Sequence, residues 1–202
     1  MMPSHPMPGR RSQAVAASAV GLTALFVYLL TLNPRLQFGD GPQLAAAAHV
    51  LGVPHATGYP LYMLLLKAFT LLPVGEVITR TTMASAVFMS LACALACLCL
   101  IPVIRQVVPA WQPHSVLVTS VAGGLATAFL FDTWNQATQT EVYALQFLLT
   151  MGFLRASQVY LTRMRAGLLL ACGLLCGLGL AHHRLSVCLM AGLVFLSWRH
   201  LE

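Results

Sequence analysis

The chain is expected to fold as an all-α, polytopic transmembrane helical bundle, and three observations carry that expectation. Of its 202 residues, 58% are hydrophobic and only 8% are charged, too few charges to cover a soluble domain of this size. Mean hydropathy is +0.80. The apolar runs are rich in Leu and Ala and lack the period-2 alternation of a barrel strand. Backbone polar groups in lipid must be satisfied within each segment, so helices are predicted.

Residues 1–13 (MMPSHPMPGRRSQ) are proline-rich, carry Arg10 and Arg11, and read as a disordered cytoplasmic tail ahead of one membrane domain over 14–202. Ala14 to Leu32 is long enough to span. Its length, with no obvious small-residue cleavage site after it, favours an uncleaved first helix over a signal peptide. Residues 33–60 form a far-side loop holding a short amphipathic helix from Pro42 to Leu51. Pro60 to Pro73 is apolar but short and contains Lys67, which suits a re-entrant or juxtamembrane helix.

A polar turn is expected over 73–80, then a second span from Thr82 to Ile104. Ser115 to Phe131 makes a third, where Gly123 and Gly124 allow close helix contact. The polar segment 131–144 returns to the far side. Val142 to Leu161 is a fourth span with Arg155 snorkelling near its end. Ala166 to Ala181 and Leu185 to Trp198 are the fifth and sixth, joined by a His182-His183-Arg184 turn. About six spans result.

Charge placement agrees with that topology. With the N-terminus cytoplasmic, Arg10, Arg11, Arg105, Arg155, Arg163, Arg165 and Arg199 fall inside, whereas Arg35, Lys67, Arg80 and Arg184 fall outside, the expected bias. The cations are scattered, with no dense basic run, so no nucleic-acid site is read. The cysteines Cys93, Cys97, Cys99, Cys172, Cys176 and Cys188 lie in apolar runs without the polar company that metal ligands need, and read as small packing residues.

Four polar clusters converge on the far face, and polar residues near lipid are disproportionately functional. Asp40, between Gly39 and Gly41, is a carboxylate on a tight turn, suited to a general base; an aspartate there is also a good helix N-cap. The proline-flanked turn PHATGYP displays His55 and Tyr59, with Tyr62 at the interface. Glu141 and Tyr143 combine a helix-start glutamate with an interfacial aromatic, or form a second polar wall. His182 and His183 point about 100° apart on a helix, too far for one metal. Arg184 beside them has the fork geometry for a phosphate, and Arg80 has it more weakly.

Taken in order, GD, LGVPHATGYPLY, FTLLPVGEVITR, QATQTEVYAL and GLGLAHH resemble the protein O-mannosyltransferase-like membrane family of the GT-C glycosyltransferase superfamily, over roughly residues 15–198. That resemblance implies a GT-C-like N-terminal module. It implies transfer of a sugar, mannose in the family, from a polyprenyl- or dolichyl-phosphate carrier to a protein or glycan acceptor. The site would face the periplasm or the lumen of the endoplasmic reticulum, with Asp40 in the position of the acidic residue that acts on the acceptor. Against the family pattern, Gln43 stands where a glutamate is usual, and HATGYP replaces HPPGYP. Rival readings are a lipid-linked-sugar transporter, which mid-helix charges and internal repeats would mark, and a non-catalytic membrane subunit.

Overall fold

The computed structural model describes residues 5–33 and 39–201, so Arg35 and the first four residues of the expected tail lie outside it. Regular structure among the described residues is all helical: α1 (Arg10–Leu30), α2 (Gly41–Val50), α3 (Pro60–Thr70), α4 (Val77–Val107), α5 (Pro113–Phe129), α6 (Phe131–Ala137), α7 (Tyr143–Arg163), α8 (Ala166–His182), a 3-10 turn (Arg184–Ser186) and α9 (Val187–Leu201).

The organising element is α4, 31 residues and about 46 Å long at 1.5 Å per residue. It packs against α1, α5 and α7 along its length, and small side chains make that possible. A Cβ added to Gly124 would sit 3.0 Å from the Cβ of Cys97 and 3.1 Å from Val20, so three helices meet where glycine lets backbones approach. The Tyr28 hydroxyl, fully buried, donates to the Ala128 carbonyl at 2.7 Å. That carbonyl lies in the last turn of α5, where no helical donor follows.

Pair contacts fix the directions. Tyr28 meets Cys93 while Val20 lies by Cys97, so α1 and α4 are antiparallel. Ser85 meets Glu141 and Cys99 meets Met151, so α4 and α7 run parallel. Ser157 meets Cys172 while Gln146 meets Ser186, so α8 returns antiparallel. Six helices (α1, α4, α5, α7, α8 and α9) thus shuttle between two ends. By length and composition, α1 and α4 are each long and apolar enough to cross a membrane, and α5 with α6, bent by 66°, makes a third if the pair is one span. The six crossings expected from sequence are not established by that test. α8 and α9, at 17 and 15 residues, fall short of the ~20 residues a bilayer core needs.

Other boundaries shift for local reasons. Residues 10–13, expected in the tail, are already helical, and Arg105 donates to the carbonyls of Pro6 and Trp111 at 2.8 and 2.6 Å. The expected turn over 73–80 ends at Glu76, the N-cap of α4. Arg80, weighed above as a phosphate ligand, donates instead to the carbonyls of Thr70, Val74 and Gly75 and closes the α3–α4 turn. The polar segment after Phe131 contains α6, where Trp134 donates to Thr31 at 2.9 Å. The helical hairpin α2–α3 lies across the same end of the bundle. Lys67 ties it together by donating to the His49 carbonyl, and Tyr62, Met63 and Leu66 bury one face of α3.

Candidate functional site at one end of the bundle

The two glycines around Asp40 are required by geometry. Gly39 has φ +129°, and a Cβ on Gly41 would lie 3.2 Å from the Thr140 carbonyl, so the turn has left-handed backbone and α2 starts against the loop before α7. Asp40 occupies the N-cap position, yet its side chain makes no capping bond. Its carboxylate lies 3.4 Å from His55 Nε2 and is 59% exposed.

His55 is held from the other side. Its Nδ1 donates to the Gln43 amide oxygen at 3.1 Å. That bond leaves Nε2 facing Asp40 and the Tyr59 hydroxyl, which is 3.5 Å away. A neutral ring bonded this way offers Nε2 as an acceptor; a protonated ring donates to Asp40. Gln43, which stands where the family pattern has a glutamate, thus orients the imidazole, a role that its place in the sequence does not reveal.

Tyr59 sits at the centre. Its φ of 44° places a bulky residue in the left-handed region just before Pro60, at a cost of roughly 1–3 kcal/mol. What holds it there is aromatic packing. The ring stacks on His183 at 5.9 Å and 12°, and meets His55 edge-on at 5.6 Å. Burial, then the neighbouring Tyr143 and Asp40, raise its pKa, so the hydroxyl remains a donor.

Glu141 is fixed through its backbone. The Tyr62 hydroxyl donates to its carbonyl at 3.0 Å and its own N–H donates to Ser85 at 3.3 Å. Thr140 beside it bonds Thr81 and Thr82 at 2.8 and 3.0 Å. Tyr62, expected at the membrane interface, is instead fully buried. Burial and the nearby Asp40 raise the Glu141 carboxyl pKa, against the Val142 backbone bond and His55, which lower it.

The histidine pair divides its labour. His182 is the last residue of α8 rather than a loop residue. Its Nε2 donates to the Val142 carbonyl at 2.9 Å, its ring packs 5.6 Å from Tyr62, and its buried Nδ1 meets no partner among the described residues. Burial drives its pKa down to about 4, so it is a neutral post between two loops. His183 accepts from the Leu185 N–H at 3.1 Å and caps the 3-10 turn. Its pKa is lowered by burial and then by Arg184.

Tyr59, Tyr143, His183 and Arg184 line a cavity of about 360 Å³, completed by Ala56, Thr57 and Leu185. All eight residues singled out in the sequence (Asp40, His55, Tyr59, Glu141, Tyr143, His182, His183 and Arg184) therefore gather at one end. The arrangement offers a carboxylate–imidazole pair at a solvent edge, tyrosine hydroxyl donors, and a guanidinium on a small polar cavity. Among the described residues no group of three His, Cys, Asp or Glu side chains could hold a metal ion.

Comparison with known proteins identifies the family. The family profile described as the protein O-mannosyl-transferase TMEM260 N-terminal domain matches residues 40–200. Protein O-mannosyl-transferase TMEM260 of Mus musculus is 36% identical over 155 residues, which cover 74% of this chain. The chain spans about a fifth of that relative's length, 20%. No solved structure matches. With most of its length matched and with apolar helices suited to a bilayer, this membrane protein belongs to the protein O-mannosyl-transferase TMEM260 N-terminal domain family.

Proposed function

We propose that this chain is the membrane module of a glycosyltransferase of GT-C type. It moves a mannosyl group from a polyprenyl-phosphate carrier to an acceptor hydroxyl at the extracytoplasmic face of a multi-pass bundle. The observation that carries the reading is a polar cavity lined by Tyr59, Tyr143, His183 and Arg184 at the end of an apolar bundle, with the Asp40–His55 pair joined to it through Tyr59. A long-tailed carrier lies in the bilayer, so its head group meets the protein at such an end.

In this reading Asp40 takes the proton of the acceptor hydroxyl as its oxygen attacks the anomeric carbon. The carbon–oxygen bond to the carrier phosphate breaks, and the polyprenyl phosphate departs with the electron pair. Arg184 stabilises the charge that grows on the leaving phosphate. His55, oriented by Gln43, passes the proton onward from Asp40. Tyr59 and Tyr143 position the sugar, and Glu141 hydrogen-bonds to its hydroxyls. His182 holds the loop before α7 in register with the 3-10 turn.

The test is transfer from radiolabelled polyprenyl-phosphate mannose to a serine/threonine peptide, in membranes containing the protein. Asp40→Asn should remove transfer while leaving membrane insertion and helix content unchanged. Undiminished transfer would overturn the base assignment. A tag inserted between Asn33 and Gly39 should be reached by a membrane-impermeant label from the extracytoplasmic side; labelling only after permeabilisation would reverse the topology.

A further inference from the structure

A second cavity, larger than the first, lies at the opposite end of the bundle. It has a volume of about 600 Å³ and is lined by Arg10, Arg155 and Arg163 together with apolar Leu98, Pro102 and Val159. That volume falls in the range of small-molecule sites. Three arginines line one space with no carboxylate in its wall, and none of the three forms an ion pair among the described residues.

The placement of Arg155 follows from α4. Pro102 lacks an N–H, so the carbonyl of Leu98, four residues earlier, has no helical donor. Arg155 Nη1 supplies one at 3.4 Å and also donates to Gln158 at 3.4 Å, while Gln158 is itself anchored to the Cys99 carbonyl at 3.0 Å. The remaining donors of this guanidinium, Nε and Nη2, meet no acceptor among the described residues. A half-buried cation on a helix of a membrane protein costs free energy unless an anion accompanies it. Here the protein provides neutral acceptors only.

We propose that this cavity binds the phosphate headgroup of an anionic membrane phospholipid, on the face of the bilayer opposite the candidate active site. The three guanidiniums take the phosphate by bidentate hydrogen bonds, and Leu98, Pro102 and Val159 take the first methylenes of the acyl chains. Basic pockets between helices are suited to such headgroups because charge and apolar contact act together. A free phosphate uses the first feature and not the second.

The experiment is native mass spectrometry of the full chain released from nanodiscs containing equal phosphatidylglycerol and phosphatidylcholine, with soluble glycerol 1-phosphate as competitor. Wild type should retain phosphatidylglycerol at least tenfold over phosphatidylcholine. Arg155→Gln should cut that preference about tenfold. The exposed pair Arg10→Gln/Arg163→Gln should do the same and keeps the test valid if Arg155→Gln misfolds. Arg165→Gln, a cation at the same end outside the cavity wall, should leave the preference within twofold. Equal retention of both lipids by wild type would overturn the proposal, as would an equal loss from Arg165→Gln. Displacement by glycerol 1-phosphate at the concentration of the lipid would show a free-phosphate site and overturn the lipid assignment.

Discussion

The two ends of the bundle handle charge in opposite ways. At the α2–α3 end lie Asp40, Glu76, Asp132 and Glu141, and the groups near the cavity are bonded to one another. Asp40 faces His55, His55 is held by Gln43, and Tyr62 fixes the Glu141 backbone. At the other end lie Arg10, Arg105, Arg155 and Arg163 with no described carboxylate near them, and Arg105 and Arg155 donate to neutral oxygens. The first end carries a matched donor–acceptor set in which burial and neighbours perturb several pKa values, the signature of a place where chemistry is arranged. The second carries unmatched cations, the signature of a surface completed by something outside the protein. The same asymmetry makes the arginine-rich end the cytoplasmic one in our reading.

The sharpest way to break the comparison is to remove charge at each end and measure transfer. Asp40→Asn should lower mannosyl transfer by at least ~100-fold, the usual scale for general base catalysis. Arg10→Gln/Arg163→Gln should change it less than about threefold, well under one factor of ten per 1.4 kcal/mol. Equal losses at both ends would erase the distinction.

A structural post comes next in size. His182→Ala removes a buried ring between Tyr59 and Tyr62 and one of the two donors to the Val142 carbonyl, which keeps the Gln146 N–H, a loss of roughly 3 kcal/mol in stability. Thermal unfolding in detergent would show it as a lowered midpoint. An unchanged midpoint would mean that the histidine is not the link between the loop before α7 and the 3-10 turn.

The pH dependence is smaller and has a definite sign. His182 titrates near 4 in the folded protein and near 6.5 when unfolded. Above about 6.5 its contribution is fully present. As pH falls below that, the unfolded chain takes up a proton that the folded chain refuses, so stability declines until the folded value is reached. Glu141 runs the other way: its pKa is raised, so its contribution is present in acid and is lost as pH rises through the folded value. The difference in melting midpoint between wild type and His182→Gln should therefore shrink from pH 7 to pH 5. A constant difference would contradict the buried, neutral imidazole.

The smallest effect is the loss of one hydroxyl. Tyr62→Phe removes the donor to the Glu141 carbonyl and the contact with Ser85, at a cost of about 1 kcal/mol. Hydrogen exchange at residues 140–142 should accelerate at neutral pH while the rest of α7 stays protected. Uniform exchange across α7 would show that Tyr62 stabilises the whole helix rather than the loop.

Much of the site was legible in the sequence because membrane solvation restricts where polar residues can lie. Against a background of Leu and Ala, Asp40, His55, Glu141 and His182-His183-Arg184 stand out, and alternating spans bring them to one face. Their partners were not legible. Gln43 reads as a spent glutamate until His55 is seen beside it, twelve residues away in sequence. Tyr62 reads as an interfacial aromatic because nothing local reveals that α3 packs against α4 and α8. Thr81, Thr82 and Thr140 look like ordinary helix and loop residues, yet they join across 58 and 59 residues. Helix boundaries moved for similar reasons: α4 starts at Val77 because the side chain of Arg80 satisfies the turn before it.

By itself the sequence determined the class of solvent, the helical secondary structure and the end of the molecule at which polar chemistry collects. Each of these follows from residue composition and from the cost of leaving backbone groups unbonded in lipid. Only the tertiary structure decided which hydroxyl holds which loop, that the two adjacent histidines differ as buried post and turn cap, and that Arg155 answers the carbonyl Pro102 leaves open. Those outcomes depend on distances between helices remote in the chain, and no local pattern of residues encodes them.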